Sequence, residues 1–388
     1  MRVLVIMRGQ GGVPGRAGVP GGQIGMVQLA RALSRLGVEV ELFVGGPRPP
    51  YLAGLDDVRI DHFRWPAHWE RAVAALPRPL QEPAAAFRRR RWLDAVSALP
   101  GLAAADVVHV QGLQDAEALL TRFTGRIVVT HWGRVNRWRA AGTARDEDAL
   151  RIKLAALHRN TEIVAIGDVQ AEELSSVGLP PVAVIPPGID IEHFTPGDRT
   201  AARQVVGFGK DEELVLYVGR LTSDKNVETL MRAVASTSGH PGGRRHLLIV
   251  GDGPLREPLQ RLAVDLSIDS MTTFRSFVPH SDLPAYYRAS DVTVVPSDRL
   301  ETFCMVALEA IACGSSLVVT DQVPEILRHF PGTPAVQPYD VVGMSRMIDE
   351  AVDGHTPPTI PIELTRYDWT SAARQYIDVY RSKTSRSA

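Results

Sequence analysis

Short apolar runs that break at glycine and give way to helical sequence recur along this chain, and that repetition constrains its fold most. RVLVIM (2–7) leads through RGQGGVPGRAGVPGG into a helix predicted from about Gln23, with Gly37 as its C-cap, and VEVELFV (38–44) follows. Strand, helix and strand in that order need a crossover, so the two strands pair in parallel. Further strands are predicted at DVVHV (106–110), RIVVT (126–130), EIVAI (162–166) and VAVIP (182–186). A Pro- and Gly-rich segment, 186–210, reads as a linker. A second series follows: LVLYVG (214–219), HLLIVG (246–251), TTFRSF (272–277), DVTVVP (291–296) and SLVVT (316–320).

Alternation of this kind specifies doubly wound sheets, and 388 residues exceed one ordinary core. The expected class is therefore α/β: two Rossmann-like domains, 1–190 and 191–388, facing across a cleft. YDWTSAARQYIDVY (367–380) reads as one last amphipathic helix. A net charge of −1 gives no field that favours nucleic acid. Two cysteines, Cys304 and Cys313, make no disulfide framework and lack zinc-site spacing, which points to a reducing, cytoplasmic setting. No apolar run is long enough to span a membrane.

Only four lysines occur, Lys153, Lys210, Lys225 and Lys383, among 43 lysines and arginines, so a lysine at a motif position carries information. Lys225 lies in YVGRLTSDKN (217–226), where Arg220 and Lys225 follow a strand end. Charged turns are ordinarily just solvated, but strand carboxyl ends are where open α/β sheets bind ligands, and two cations there bracket a diphosphate without a metal. VGDGPLREPL (250–259) has G-x-G after a strand but Arg256 in place of a third glycine, so it reads as a tight turn rather than a dinucleotide fingerprint. Gly21-Gly22 precedes a helix, as a flexible loop or as an anion-approach site. Asp146-Glu147-Asp148 has the form of a metal-holding carboxylate pair, yet it sits in polar helical sequence and reads as a charged helix face. His131 follows the strand RIVVT. FRWPAHW and FRRRRW set arginines beside Trp65, Trp69 and Trp92, as a partly packed helical face, an acceptor wall or a membrane-surface patch.

The stretch ETFCMVALEAIACG (301–314) raises its own question, since Glu301 and Glu309 stand in otherwise apolar sequence. A helix is expected just after Glu301, with Thr302 as N-cap and Glu309 about two turns along.

Together, GGQIGMVQLARALSRLGVEV, VIPPGIDIEHF, YVGRLTSDKNVETLMRA, IVGDGP, VPHSDLPAYYRASDVTVVPS and ETFCMVALEAIACG resemble the successive blocks of family 4 retaining glycosyltransferases of the GT-B fold. The resemblance covers nearly the whole chain, strongest in 186–340. It implies that Arg220 and Lys225 hold a donor diphosphate, that Glu309 accepts from ribose hydroxyls, and that Glu301 accepts from the transferred sugar. It also implies that the N–H groups of Phe303, Cys304 and Met305 lie near sugar and phosphate oxygens, and that residues around Val278 flank the base. Gly22 would let the first domain close on the phosphates, His131 would touch the sugar from the acceptor side, and the last helix, about 368–383, would cross back onto the first domain. Cys304 stands where the block usually has glycine, which reshapes the sugar pocket.

The expected activity is a cytosolic, metal-independent retaining transfer from a nucleoside-diphosphate sugar, UDP-sugar favoured, with no cofactor. The preferred acceptor is a small hydroxylated molecule, an aminocyclitol or other specialised metabolite such as an antibiotic precursor. The alternatives are a lipid-linked or membrane-surface acceptor, an epimerase or phosphorylase on the same fold, and a non-catalytic nucleotide-sugar sensor.

Overall fold

In the computed structural model the described residues are 1–7, 21–45, 55, 58–63, 91–92, 94–113, 116, 119–120, 122–132, 156, 161–237, 245–276, 278–354 and 362–382. The stretch 8–20, Trp65, Trp69, the arginines of 88–90 and Asp146-Glu147-Asp148 lie outside them. The chain forms two compact units, the first taking the described residues up to Gly188 and from Trp369 on, the second Ile189–Asp368.

The first unit contains β1 (Arg2–Met7), α1 (Gly21–Arg35), β2 (Glu39–Gly45), β3 (Arg59–Phe63), β4 (Val107–Val110), β5 (Arg126–Thr130), β6 (Thr161–Ala165), α2 (Asp168–Ser176) and β7 (Ala183–Val184). Its seven strands form one parallel sheet in the order β3-β2-β1-β4-β5-β6-β7. The sequence reading missed β3, because RIDHF is an edge strand with polar residues and lacks the apolar run of a central one. Trp92 is core rather than surface: it is buried and stacks on Phe43 with ring centroids 5.1 Å apart.

The chain's last helix, α9 (Trp369–Arg381), also belongs to this unit and packs on α1. A buried polar network anchors it. His109 Nδ1 lies 2.7 Å from the Tyr380 hydroxyl and Nε2 lies 2.7 Å from the Thr130 hydroxyl, which in turn is 2.8 Å from the Tyr376 hydroxyl. Arg126 adds a second tie, donating 2.9 Å to the Tyr380 carbonyl while it pairs with Glu162.

The second unit contains α3 (Arg199–Val206), β8 (Glu213–Val218), α4 (Val227–Thr237), β9 (Arg245–Val250), α5 (Arg256–Asp265), β10 (Thr272–Arg275), α6 (Leu283–Ala289), β11 (Val292–Val295), α7 (Met305–Cys313), β12 (Ser316–Thr320), β13 (Ala335–Val336) and α8 (Val341–Val352). Its six strands are parallel, in the order β10-β9-β8-β11-β12-β13. Apolar cores cover both faces of this sheet, which is why its central strands read as continuous apolar runs. Both sheets are doubly wound, with the switch of strand order at β1/β4 and at β8/β11.

The linker reading of 186–210 fails over α3. Asp198 caps this helix, accepting from Thr200 N at 2.8 Å and Ala201 N at 3.2 Å, and Gly207 closes it at φ +86°. The Pro and Gly residues that suggested a linker are its punctuation. α3 buries Ala202 and Val206 against α6, and Arg203 reaches Asp291 at 2.6 Å.

Burial lowers the His109 pKa from 6.5 to about 3, so the folded protein keeps this ring neutral while the unfolded chain protonates it below 6.5. Its contribution to stability is complete above pH 6.5 and is lost as pH falls towards about 3, at about 1.4 kcal/mol per pH unit. Denaturant midpoints measured across that window for the wild type and His109→Asn should show the slope in the wild type and its reduction in the variant.

Candidate active site

The site builds up at the switch point of the second sheet, from the turns after β8 and β11. The turn after β8 rests directly on the turn after β9. Gly219 N donates to Val250 O and Leu221 N to Asp252 O, each at 2.9 Å. A Cβ on Gly251, whose φ is +145°, would stand 1.8 Å from the Gly219 carbonyl oxygen, and one on Gly253 would stand 2.4 Å from the Leu221 carbonyl oxygen. The two glycines of VGDGP are thus required by backbone-on-backbone packing, which supports the tight-turn reading of that motif. Tyr217 braces the same turn from below, donating to the Arg220 carbonyl at 2.8 Å. Burial, with the Glu301 charge next, raises the pKa of this tyrosine and keeps it a donor.

Arg220 projects from this turn half-exposed, with Asp224 at 3.7 Å. Lys225 ends a 3-10 turn, Ser223–Lys225, that Asn226 terminates in the left-handed region at φ +48°. There the Lys225 ammonium pairs with the Glu301 carboxylate. Ser297, fully buried after β11, donates to the same Glu301 oxygen at 2.6 Å, and its carbonyl is held by Thr320 at 2.6 Å. Glu301 N donates to Gln322 O at 2.8 Å.

That backbone bond, with Phe303 packed near the Tyr367 ring, keeps 301–304 out of helical conformation. α7 therefore starts at Met305, not just after Glu301, and Cys304 rather than Thr302 occupies the N-cap position without a side-chain hydrogen bond. Glu309 consequently lies about one turn inside the helix instead of two. Cys304 is buried, and burial followed by the Glu301 charge pushes its thiol up to about 12, so it stays protonated. Val278, Phe303 and Met305 pack half-buried on the same core.

Glu309 is almost fully buried and its two oxygens are both engaged: His280 Nε2 lies 2.8 Å from one, and the Tyr287 hydroxyl donates to the other at 2.7 Å. Neither His280 nor Tyr287 was singled out from sequence. The signal available was a polar residue and an aromatic one in VPHSDLPAYY, too common to notice without knowing what they face.

Two candidates belong to the first unit. Gly22 lies in α1, where an added Cβ would meet the Gln111 amide at 2.8 Å and Trp132 at 2.9 Å, and Gly25 is tighter still against Trp132. Close packing on Trp132 therefore accounts for these glycines without invoking an anion. His131 follows β5, its carbonyl held by the buried Gln170 side chain at 2.7 Å. The two cysteines are free thiols.

Comparison with known proteins decides what this geometry belongs to. The family model described as Glycosyltransferase Family 4 matches residues 19–193, and that described as Glycosyl transferases group 1 matches 198–355. One relative, D-inositol 3-phosphate glycosyltransferase 1 of Catenulispora acidiphila, is 30% identical over 404 residues, covering 95% of this chain and 92% of its own length. The chain is a family 4 glycosyltransferase of the GT-B fold. The D-inositol 3-phosphate glycosyltransferase of Mycobacterium bovis is 32% identical over 337 residues, with 79% of this chain and 65% of the relative covered. Among solved structures, sucrose-phosphate synthase from Thermosynechococcus elongatus superimposes with a TM-score of 0.74 at 23% identity, covering 97% of this chain and 98% of that one. Anabaena HepE in complex with UDP-glucose gives a TM-score of 0.70 at 18% identity, covering 97% and 98%. Among the described residues of this glycosyltransferase, no helix is long and apolar enough to cross a membrane.

The turn packing gives a direct test. Gly251→Ala places a methyl group against the Gly219 carbonyl at a backbone angle that alanine resists, and should destabilise the protein by more than about 1 kcal/mol. Chemical denaturation of the variant measures this, and a midpoint equal to that of the wild type would show that the turns are not so tightly joined.

Proposed function

We propose that this glycosyltransferase moves a sugar from a UDP-sugar to a hydroxyl of a small cyclitol-type acceptor, retaining anomeric configuration and using no metal ion. One observation carries the reading. At the switch point of the second sheet, Lys225 meets Glu301 just ahead of a helix start that no side chain caps, with Arg220 on the same turn as Lys225. Two cations and a helix N-terminus suit the negative charge that develops on a leaving diphosphate. The UDP-glucose complex of HepE supports the donor, and relatives named as D-inositol 3-phosphate glycosyltransferases support a polyhydroxylated ring as acceptor, aminocyclitols included.

In this reading the second unit takes the donor and the first the acceptor. Arg220 and Lys225 bind the diphosphate, assisted by the N–H groups of Phe303, Cys304 and Met305. Glu309 accepts from the ribose, Glu301 from the transferred sugar, and the base lies by Val278. Glu301 is tied to Lys225 and Ser297, an arrangement suited to holding a hydroxyl rather than attacking carbon. Attack on the same face, with a phosphate oxygen taking the acceptor proton, then accounts for retention. The setting is cytoplasmic.

Incubation of UDP-sugars with a panel of cyclitols, read by the anomeric coupling in the product's NMR spectrum, tests the reaction. Turnover should persist in excess EDTA, and loss of activity restored by magnesium would count against it. Arg220→Ala and Lys225→Ala should each weaken donor binding by about 1.5–3 kcal/mol, the worth of hydrogen bonds to charged groups. The larger loss is expected at Lys225, since its removal leaves the Glu301 carboxylate facing the diphosphate.

The two glutamates should separate. Glu309→Ala should weaken binding of UDP alone as well as of the donor. Glu301→Ala should leave UDP binding nearly intact while lowering kcat and blurring discrimination among sugars. Calorimetry with UDP decides it, and equal losses in the two variants would contradict the division.

A further inference from the structure

The engagement of Glu309 goes beyond a residue waiting for a ligand. A carboxylate has about four acceptor positions on its two oxygens. Here one oxygen is engaged by His280 and the other by Tyr287, which leaves one acceptor lone pair on each. That is the pattern a vicinal diol needs: one acceptor position on each of two oxygens whose orientation is already fixed. The two holders come from different places, His280 from the 3-10 turn His280–Asp282 and Tyr287 from α6, while Glu309 comes from α7. Tyr287 is fully buried, and burial followed by Glu309 raises its pKa, so it remains a donor.

His280 differs, because it can change charge. Its ring packs at 5.0 Å on Phe194, and the titratable or charged groups around it are Glu309 from α7, Tyr287 from α6, Asp190 and His193 from the 189–194 segment, and Asp282 on its own turn. Burial disfavours its charge, but the hydrogen bond to Glu309 and the charges of Glu309 and Asp190 outweigh burial and raise its pKa. A neutral ring still donates from Nε2 to Glu309. It leaves the carboxylate uncompensated, and so a stronger acceptor for hydroxyls, than a protonated ring does.

We propose that His280 and Tyr287 are positioning residues that orient Glu309 towards the ribose diol of the donor, and that loss of the His280 proton tightens donor binding. The inference rests on the reading of Glu309 as the ribose acceptor. By reciprocity, hydroxyls that donate to Glu309 draw on the charge that His280 otherwise feels, so donor binding releases part of the His280 proton.

Calorimetry with UDP-glucose, whose phosphates do not titrate near neutrality, tests this from about pH 6 to pH 8.5. The wild type should bind about fivefold more tightly at the upper end, the difference between hydrogen bonds to a charged and to a compensated acceptor. His280→Gln keeps a donor in place without a titrating proton, and should show the upper affinity with a flat profile. His280→Ala should bind more weakly throughout. The 2′-deoxyribose analogue of UDP-glucose, tested on the unaltered protein, should lose both affinity and the pH dependence. A profile unchanged in His280→Gln, or retained with the deoxy analogue, overturns the inference while leaving the function standing. Failure of the wild type to bind UDP-glucose or UDP at any pH overturns the UDP-sugar reading and this inference with it.

Discussion

The candidate site hangs on the contact between two backbones. The Gly251 Cα sits where no Cβ fits beneath the Gly219 carbonyl, and Leu221 is hydrogen-bonded to Asp252 across the same gap. This joins the turns after β8 and β9 into one rigid support. Arg220 and the Ser223–Lys225 turn stand on it, and Tyr217 locks it from the core side. Flexible side chains could not hold two cations at a strand end in this way, because ordering them costs entropy that a fixed backbone has already lost.

On that support the charged groups come paired. Lys225 holds Glu301, Arg220 lies near Asp224, and His280 holds Glu309. Pairing keeps partly buried charges from standing alone, which would be costly. In the proposed reading a diphosphate would compete with Glu301 for Lys225, whereas a ribose diol would join His280 and Tyr287 on Glu309. The two glutamates thus sit in different environments: Lys225 and Ser297 share one oxygen of Glu301, while Glu309 has one partner on each of its oxygens.

Much of the fold was legible because strands covered on both faces leave continuous apolar runs, as LVLY in β8 and LVVT in β12 do. Three elements escaped: β3 is polar, β13 has two residues, and α3 is framed by the prolines and glycines that made it look like a linker. At the site, Arg220, Lys225, Glu301 and Glu309 could be picked out because charges in apolar or strand-end settings stand out. Ser297, His280 and Tyr287 could not, since their chemistry is common and only their partners make them notable. The Thr302 cap failed for a related reason. Capping preference is local, and the bond from Glu301 N to Gln322 O overrides it from a distant segment.

The sequence by itself determined two parallel doubly wound sheets, the glycines at their turns and the charged residues at the switch point of the second. These follow from periodicity, turn chemistry and the cost of placing charge in apolar surroundings, all of which act between near neighbours in the chain. Only the tertiary structure decided which side chain faces which. Lys225 and Glu301 are 76 residues apart, and His280 and Glu309 are 29 apart. Likewise, the side chains that tie down the last helix, His109, Thr130, Tyr376 and Tyr380, meet in a buried network spanning 271 residues of sequence. Such pairings depend on where the strands of a sheet come to lie side by side, and local sequence carries no record of that order.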